Sequence, residues 1–491
     1  MEKRMSKTSV KKNFMYQMVY EILILILPFI TSPYIARTIG AEGLGIYSYS
    51  YSVANYFVLF SMLGLKNYGN RKIAQNRDDR KTLNDTFSNL VVLHICVSLL
   101  VSFVYIDYIV FMAENKIYAL IQLLVVISSL FDISWFYFGI EKFKMTVTRN
   151  IIVKIVNIAC VFIFVKRSED LWIYCLIMAL GMLISQVLLW IPLGNYVSFV
   201  KPKWKKIKEH IKPLLILFIP AIAISVYKYM DKIMIGSLSS KSQLGFYENA
   251  EKVVSIPLTI IASFGTVMLP KMSNLVSGGF KKETDRYISL SMKYVMCLAF
   301  ALSFGLIGIG KVFAPIFWGK EFLLSGDIIM GLAITVPFVS FANVIRTQYL
   351  IPTEKDKEYL SSVIGGAIIN FIINLMLIPS LGSIGATIGT IFAEISVCCI
   401  QVFVVRRDLP IWEYIKNSIS FLIFGILMFG IVYITGILLG DSISTLFIQI
   451  GIGGCFYCVM CLIFFIKTKD KIIMNILNKI KRKLLKQDRE F

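Results

Sequence analysis

Charge is scarce in this chain. Asp, Glu, Lys and Arg make up 16% of its 491 residues, against about 25% in soluble globular domains. A soluble protein so poor in charge, and 57% hydrophobic, would have no surface to show water. Several motifs are also missing. No GxxxxGK[ST] phosphate loop occurs, so there is no built-in ATPase. No span has the regular arginine spacing of a voltage sensor, and no segment resembles a selectivity filter. No long loop is available on the side away from the basic connections, where a membrane polymerase or glycosyltransferase would hold an acceptor and a catalytic acid. The apolar runs lack the period-2 alternation of barrel strands, which leaves helices.

What is present is apolar sequence in repeated blocks. The mean hydropathy is +0.73, and runs of roughly 20 residues, the length a helix needs to cross hydrocarbon, recur along the chain. Fourteen spans are expected. The first seven are Phe14–Ile39, Leu44–Leu65, Thr86–Ile109, Ile117–Tyr137, Val147–Val165, Leu171–Leu193 and Leu214–Ile235. The second seven are Phe246–Leu269, Tyr287–Ile309, Ile328–Ile345, Tyr359–Ile378, Ile384–Val405, Ile415–Ile437 and Thr445–Ile466. The tenth is short and has polar ends. The first follows a basic N-terminus as a signal peptide would. It leads straight into another span without an evident cleavage site, and is read as a retained helix.

Basic residues orient the spans. They crowd the N-terminal tail, the connections after spans two, six and eight, and the C-terminal tail, as in Lys66–Lys81 and Lys201–Lys212. The connection Ser380–Ser383 has no charge. This bias places both termini in the cytoplasm. The net charge of +21 therefore faces anionic headgroups rather than nucleic acid. The tail Lys469–Arg489 has Ile472, Ile473, Ile476, Leu477 and Ile480 on one side. It is either a helix lying on the membrane surface or a frayed basic tail. Cys455, Cys458 and Cys461 have CxxCxxC spacing inside a glycine-rich apolar run, which reads as packing rather than metal ligation.

The two halves resemble each other. Pro28 precedes Leu44-Gly45-Ile46-Tyr47, and Pro220 precedes Leu244-Gly245-Phe246-Tyr247. A basic residue follows each glycine at the same interval, Arg71 and Lys271. The reading is all-α: a polytopic membrane protein of two pseudo-symmetric lobes around a central cavity, an arrangement typical of transporters. The expected divisions are an N-terminal lobe over 1–205, a C-terminal lobe over 206–405, two further helices over 406–466, and the basic tail over 467–491.

Ionisable groups inside spans face a cavity or a partner by default. Here they include Glu21, Arg37, Lys228, Asp231, Lys232, Glu248, Glu251 and Lys252. Lys228 and Lys232 share one helix face, as do Glu248 and Lys252. Two readings stand: a cationic cavity with acidic partners, or Lys–Glu pairs that lock spans seven and eight together. Tyr47, Tyr51 and Asn55 form a stripe on span two. It suits a sugar or amphipathic cargo, or else a polar seam.

The stretch Asn13–Asp79 resembles the N-terminus of Wzx-type polysaccharide or teichoic-acid flippases, of the multidrug/oligosaccharidyl-lipid/polysaccharide exporter superfamily. The matching pieces are the proline of span one, Ala36-Arg37 followed by Gly40, the Leu44–Tyr47 opening and Tyr68-Gly69-Asn70-Arg71. Asp231–Gly236 and Gly245-Phe246-Tyr247 resemble the family as well. The resemblance implies a non-enzymatic flippase in the bacterial cell membrane. Its cargo would be a polyprenyl-pyrophosphate-linked oligosaccharide, a precursor of capsule, exopolysaccharide or teichoic acid. Cargo would move from inner to outer leaflet by alternating access. The resemblance also implies that cavity cations, best matched by Arg37, Lys228 and Lys232, engage the pyrophosphate. Asp231, Glu248 or Glu251 would take Na⁺ or a proton as coupling ion, with no other cofactor. Partner enzymes would be glycosyltransferases and a polymerase of the same pathway. The competing expectations are an ion-coupled antiporter of organic cations from the same superfamily, or a membrane polymerase.

Overall fold

The computed structural model describes residues 7–470 and 472–475; for residues 7–26, 28, 220, 221, 223, 224 and 226–228 it describes the backbone alone. Glu21, Lys228 and most of the basic tail, including the apolar side from Ile476 on, are thus outside the described side chains. The described residues are helical, with short connections, and fall in two compact units. One is Met1–Asn249 with Asn370–Gly389; the other is Ala250–Ile369 with Thr390–Phe491.

In the first unit α1 (Lys7–Met62) carries expected spans one and two as two arms, bent at Gly40 (φ 76°, ψ 177°). An L-residue at positive φ costs about 1–2 kcal/mol, so glycine is the residue that allows the bend. After α2 (Leu65–Asn76), Asp79 caps α3 (Arg80–Phe111) by accepting the backbone N–H groups of Lys81 (3.1 Å) and Thr82 (3.3 Å). Then come α4 (Lys116–Leu130), α5 (Ser134–Gly139), α6 (Phe143–Phe164), α7 (Leu171–Val187) and α8 (Trp204–Leu238). Asp132 lies in the break before α5 and accepts the N–H of Ser134 (2.9 Å). One core of this unit gathers Phe87, Trp135, Phe136 and Tyr137 around Tyr68 and Ile73. A second packs Tyr105, Val125 and Val126 against Val53 and Ala54 of the second arm of α1.

Three helices supply residues to both units: α9 (Lys241–Ser277), α13 (Asp356–Leu381) and α14 (Ser383–Val405). In the second unit α10 (Lys281–Trp318) packs against α11 (Leu323–Ala333), α12 (Thr335–Ile345), α15 (Ile411–Leu439) and α16 (Ile443–Lys467). Faces of α15 and α16 carry large apolar side chains fully out of the core, such as Leu438 and Phe447. That is a surface for hydrocarbon, not water. Cys455 and Cys458 are exposed on α16, while Cys461 meets Cys297 of α10 (3.6 Å).

Among the described residues eleven helical segments are long and apolar enough to cross a membrane. Each coincides with an expected span. The other three expected spans lie on α1 and α8, part of whose side chains fall outside the described set. The tenth span, short in the sequence reading, runs over Lys320–Leu350 and is the most covered of all, 72% of its apolar window being buried. Thr335, Ser340, Asn343, Thr347 and Gln348 are buried in protein, so lipid never tests them. A turn of π-helix, Arg346–Leu350, closes it.

Candidate functional site

The two half-motifs meet in the first unit. A Cβ on Gly45 would lie 1.7 Å from the carbonyl oxygen of Lys241, and one on Gly245 would lie 1.9 Å from that of Ala41. Each glycine touches the residue four before its counterpart. The second arm of α1 and the start of α9 therefore cross at a reciprocal contact that only two glycines permit. Leu44 and Leu244 are both buried beside it.

One turn further along, the same register carries charge. Ser48, the counterpart of Glu248, donates its hydroxyl to that carboxylate (2.7 Å). Lys232 of α8 pairs with the same Glu248 oxygen (2.7 Å), and the two side chains are only 12% and 13% exposed. Lys232 and Glu248 thus join α8 to α9 through a largely covered ion pair. Asp231, next to Lys232, is buried and accepts hydrogen bonds from the Tyr247 hydroxyl (3.0 Å) and the Asn374 amide (2.6 Å). Asn374 also holds Asn370, one turn earlier on α13 (3.1 Å). Asn374 Oδ1 and Asn249 Nδ2 are buried with no hydrogen-bond partner among the described residues. Gathering these groups in an apolar interior costs free energy unless they satisfy one another. Their concentration at one place marks the site.

The tyrosine stripe lies close by in sequence, on the second arm of α1. Tyr47 stacks on Tyr51 (5.5 Å between ring centroids) and meets Tyr174 of α7 edge-on (4.8 Å). Asn55 turns back to donate to the Tyr51 carbonyl (2.8 Å), bonding its own helix. Arg37 is exposed near the end of the first arm of α1. Glu251 and Lys252 belong to the second unit.

Sequence reasoning passed over Ser48, Tyr174, Asn249, Asn370 and Asn374. A signal existed for three of them. Ser48 is the repeat counterpart of Glu248, and Asn370 and Asn374 are amides one turn apart in an otherwise apolar run.

A family model described as polysaccharide biosynthesis protein matches residues 10–276, a stretch that includes the whole glycine crossing and the Asp231–Glu248 cluster. The chain belongs to this family. Among curated proteins it is similar to a putative O-antigen transporter of Shigella dysenteriae, 24% identical over 53% of this chain and 66% of that one. It is also similar to a putative O-antigen transporter of Escherichia coli (strain K12), 22% identical over 82% of this chain and 98% of that one. Among solved structures it shares its fold with the lipid II flippase MurJ in an inward closed conformation. There the TM-score is 0.77 at 17% identity, covering 93% of this chain and 99% of the other. This family member is a multi-pass, all-α membrane protein with a transporter fold.

Proposed function

We propose that the chain is a flippase for a polyprenyl-pyrophosphate-linked oligosaccharide, carrying it from the inner to the outer leaflet by alternating access. The observation that carries this reading is the largely covered Asp231–Lys232–Glu248 cluster at the glycine crossing, inside the segment matched by the polysaccharide biosynthesis family. A bilayer protein retains such a cluster against its desolvation cost when function needs it. The names of its relatives, O-antigen transporters and a lipid II flippase, point to the same class of cargo. The diphosphate is a strong anion, and paired cations at low dielectric attract it. Arg37, Lys228 and Lys232 are the cations we assign to it, Lys232 acting when its bond to Glu248 opens. Lys252 is a further candidate. Asp231, backed by Asn370 and Asn374, is the group we assign to the coupling ion, Na⁺ or a proton. Glu21, Glu248 and Glu251 are lesser candidates. Both termini are placed in the cytoplasm on the basic-residue bias. Glycosyltransferases that build the cargo and a polymerase that consumes it are the partner enzymes this role requires.

The test is reconstitution. Proteoliposomes should move a fluorescent polyprenyl-diphosphate saccharide between leaflets faster than protein-free vesicles, read by quenching of the outer pool. Equal rates with and without protein would overturn the proposal. Movement of an organic cation in its place would assign the chain to the antiporter class.

A further inference from the structure

A second site lies in the other unit, at the ends of α15 and α16 joined by the Gly440–Ser442 turn, away from the basic Arg406–Arg407 end of α15. It is a cavity of about 350 Å³ whose lining includes Lys311, Leu323, Asp327, Ile437, Asp441 and Gln449. Gln449 is fully buried. Its amide nitrogen donates to the Val432 carbonyl (2.9 Å), while its Oε1 has no partner among the described residues. Space for that amide exists because residue 436 is glycine: a Cβ there would sit 2.5 Å from Gln449 Nε2. Asp441 has no hydrogen bond or ion pair among the described residues. Asp327 holds Lys311 loosely, at 3.7 Å, where a tight charge-assisted bond is about 2.7–2.9 Å.

The cavity therefore offers one cation and three acceptors short of donors. A primary ammonium brings three N–H donors, and a phosphate takes the lysine. The rim says where such a molecule comes from. Leu323 and Ile437 line the cavity yet are largely exposed, and Leu438, Leu439 and Ile443 continue the apolar surface beside it. Acyl chains fit that surface, and a charged headgroup fits the cavity. We propose that this is a headgroup site for a phospholipid bearing a primary ammonium, of the phosphatidylethanolamine type. Asp441, Asp327 and Gln449 Oε1 receive the ammonium and Lys311 receives the phosphate. The site is separate from the cargo cluster and does not depend on which cargo is carried.

The experiment uses the full chain purified in micelles doped with equal dioleoyl-phosphatidylethanolamine and dioleoyl-phosphatidylcholine, with bound lipids counted by native mass spectrometry. The quaternary choline has no N–H donor, so the ethanolamine lipid should be retained about tenfold more, the scale of one lost charge-assisted hydrogen bond. Asp441→Asn, on an exposed turn where folding is not at risk, and Gln449→Leu should each pull the ratio toward parity. Lys311→Gln should weaken both lipids alike and leave the ratio unchanged. Equal retention of the two lipids by the unmodified chain, or a preference untouched by both Asp441→Asn and Gln449→Leu, overturns the proposal.

Discussion

Replacing Lys232 by methionine separates a helix lock from a cargo contact. The Lys232–Glu248 bond is 2.7 Å long and nearly buried. Removing one member of such a pair typically costs about 3–5 kcal/mol, because the remaining charge stays out of water without its counter-ion. The hydroxyl of Ser48 still donates to Glu248. A hydrogen bond to a charged group contributes about 1.5–3 kcal/mol, and this one is already made in the parent, so it does not replace the lost counter-ion. Glu248→Gln should be milder, since an amide oxygen can still accept from Lys232. The double variant Lys232→Met, Glu248→Gln removes both charges and should approach the parent, since buried pairs replaced by neutral groups of similar size are often neutral in stability. Thermal unfolding in detergent gives the order: Lys232→Met lowest, Glu248→Gln intermediate, the double variant highest of the three. Transport of the labelled lipid then divides the roles. If the pair is only a lock, the double variant recovers transport with stability. If Lys232 also meets the diphosphate, stability returns and transport does not. Lys232→Met as stable as the double variant would refute the reasoning, because covering Glu248 without the Lys232 ammonium would then carry no cost.

Other consequences are simpler. Gly45→Ala and Gly245→Ala each drive a methyl into a backbone carbonyl, so each should lower the unfolding midpoint by an overpacking cost of about 1–3 kcal/mol. Because both act at one crossing, the double variant should lose less than the sum, checked by a double-mutant cycle. Asn374→Leu removes a 2.6 Å donor from buried Asp231 and should cost about 1–3 kcal/mol in the same assay. His210, bonded through Nδ1 to the Tyr68 hydroxyl (2.7 Å), is held below its ordinary value by burial and then by Lys72. The unfolded chain therefore takes up a proton first as pH falls below about 6.5, so stability is full above that pH and declines below it. His210→Gln should flatten that decline in midpoints measured from pH 8 to pH 5.

Eleven of the spans were legible because each is an apolar block of bilayer length, a signal that needs no tertiary information. The tenth was under-read for a physical reason. Hydropathy rewards lipid-facing residues, and Lys320–Leu350 is mostly covered by protein, so it tolerates Ser, Asn and Arg. The site was legible in part. Charge inside a span flags Asp231, Lys232 and Glu248 whatever they touch. Spacing along one helix could not reveal that Lys232 and Glu248 face each other from α8 and α9, nor that Asp231 reaches across to α13, because those relations exist only between helices. The cavity at Gln449 left no trace in the sequence. A glutamine, a glycine and three charged residues scattered over four helices and a turn make a site only when folding brings them together.

The half-motif repeat carries a mechanical consequence. Gly45 rests on Lys241 and Gly245 on Ala41, so the same patch from each half makes both sides of the contact. Such a self-complementary contact fixes its register, since sliding by one residue would place a side chain against a carbonyl on both sides at once. Any motion at the crossing must then be separation or rotation, and Ser48 and Glu248, bonded one turn beyond, must part when it happens. A cross-link between those positions tests whether transport requires it. Ser48→Cys and Glu248→Cys can be placed in a chain whose nine native cysteines have been replaced, with Lys232 kept because the diphosphate is assigned to it. Oxidation by copper phenanthroline should join the pair and stop movement of the labelled lipid, and reduction should restore it. If transport continues at the same rate after complete cross-linking, the crossing stays shut throughout the cycle, and the moving parts lie elsewhere.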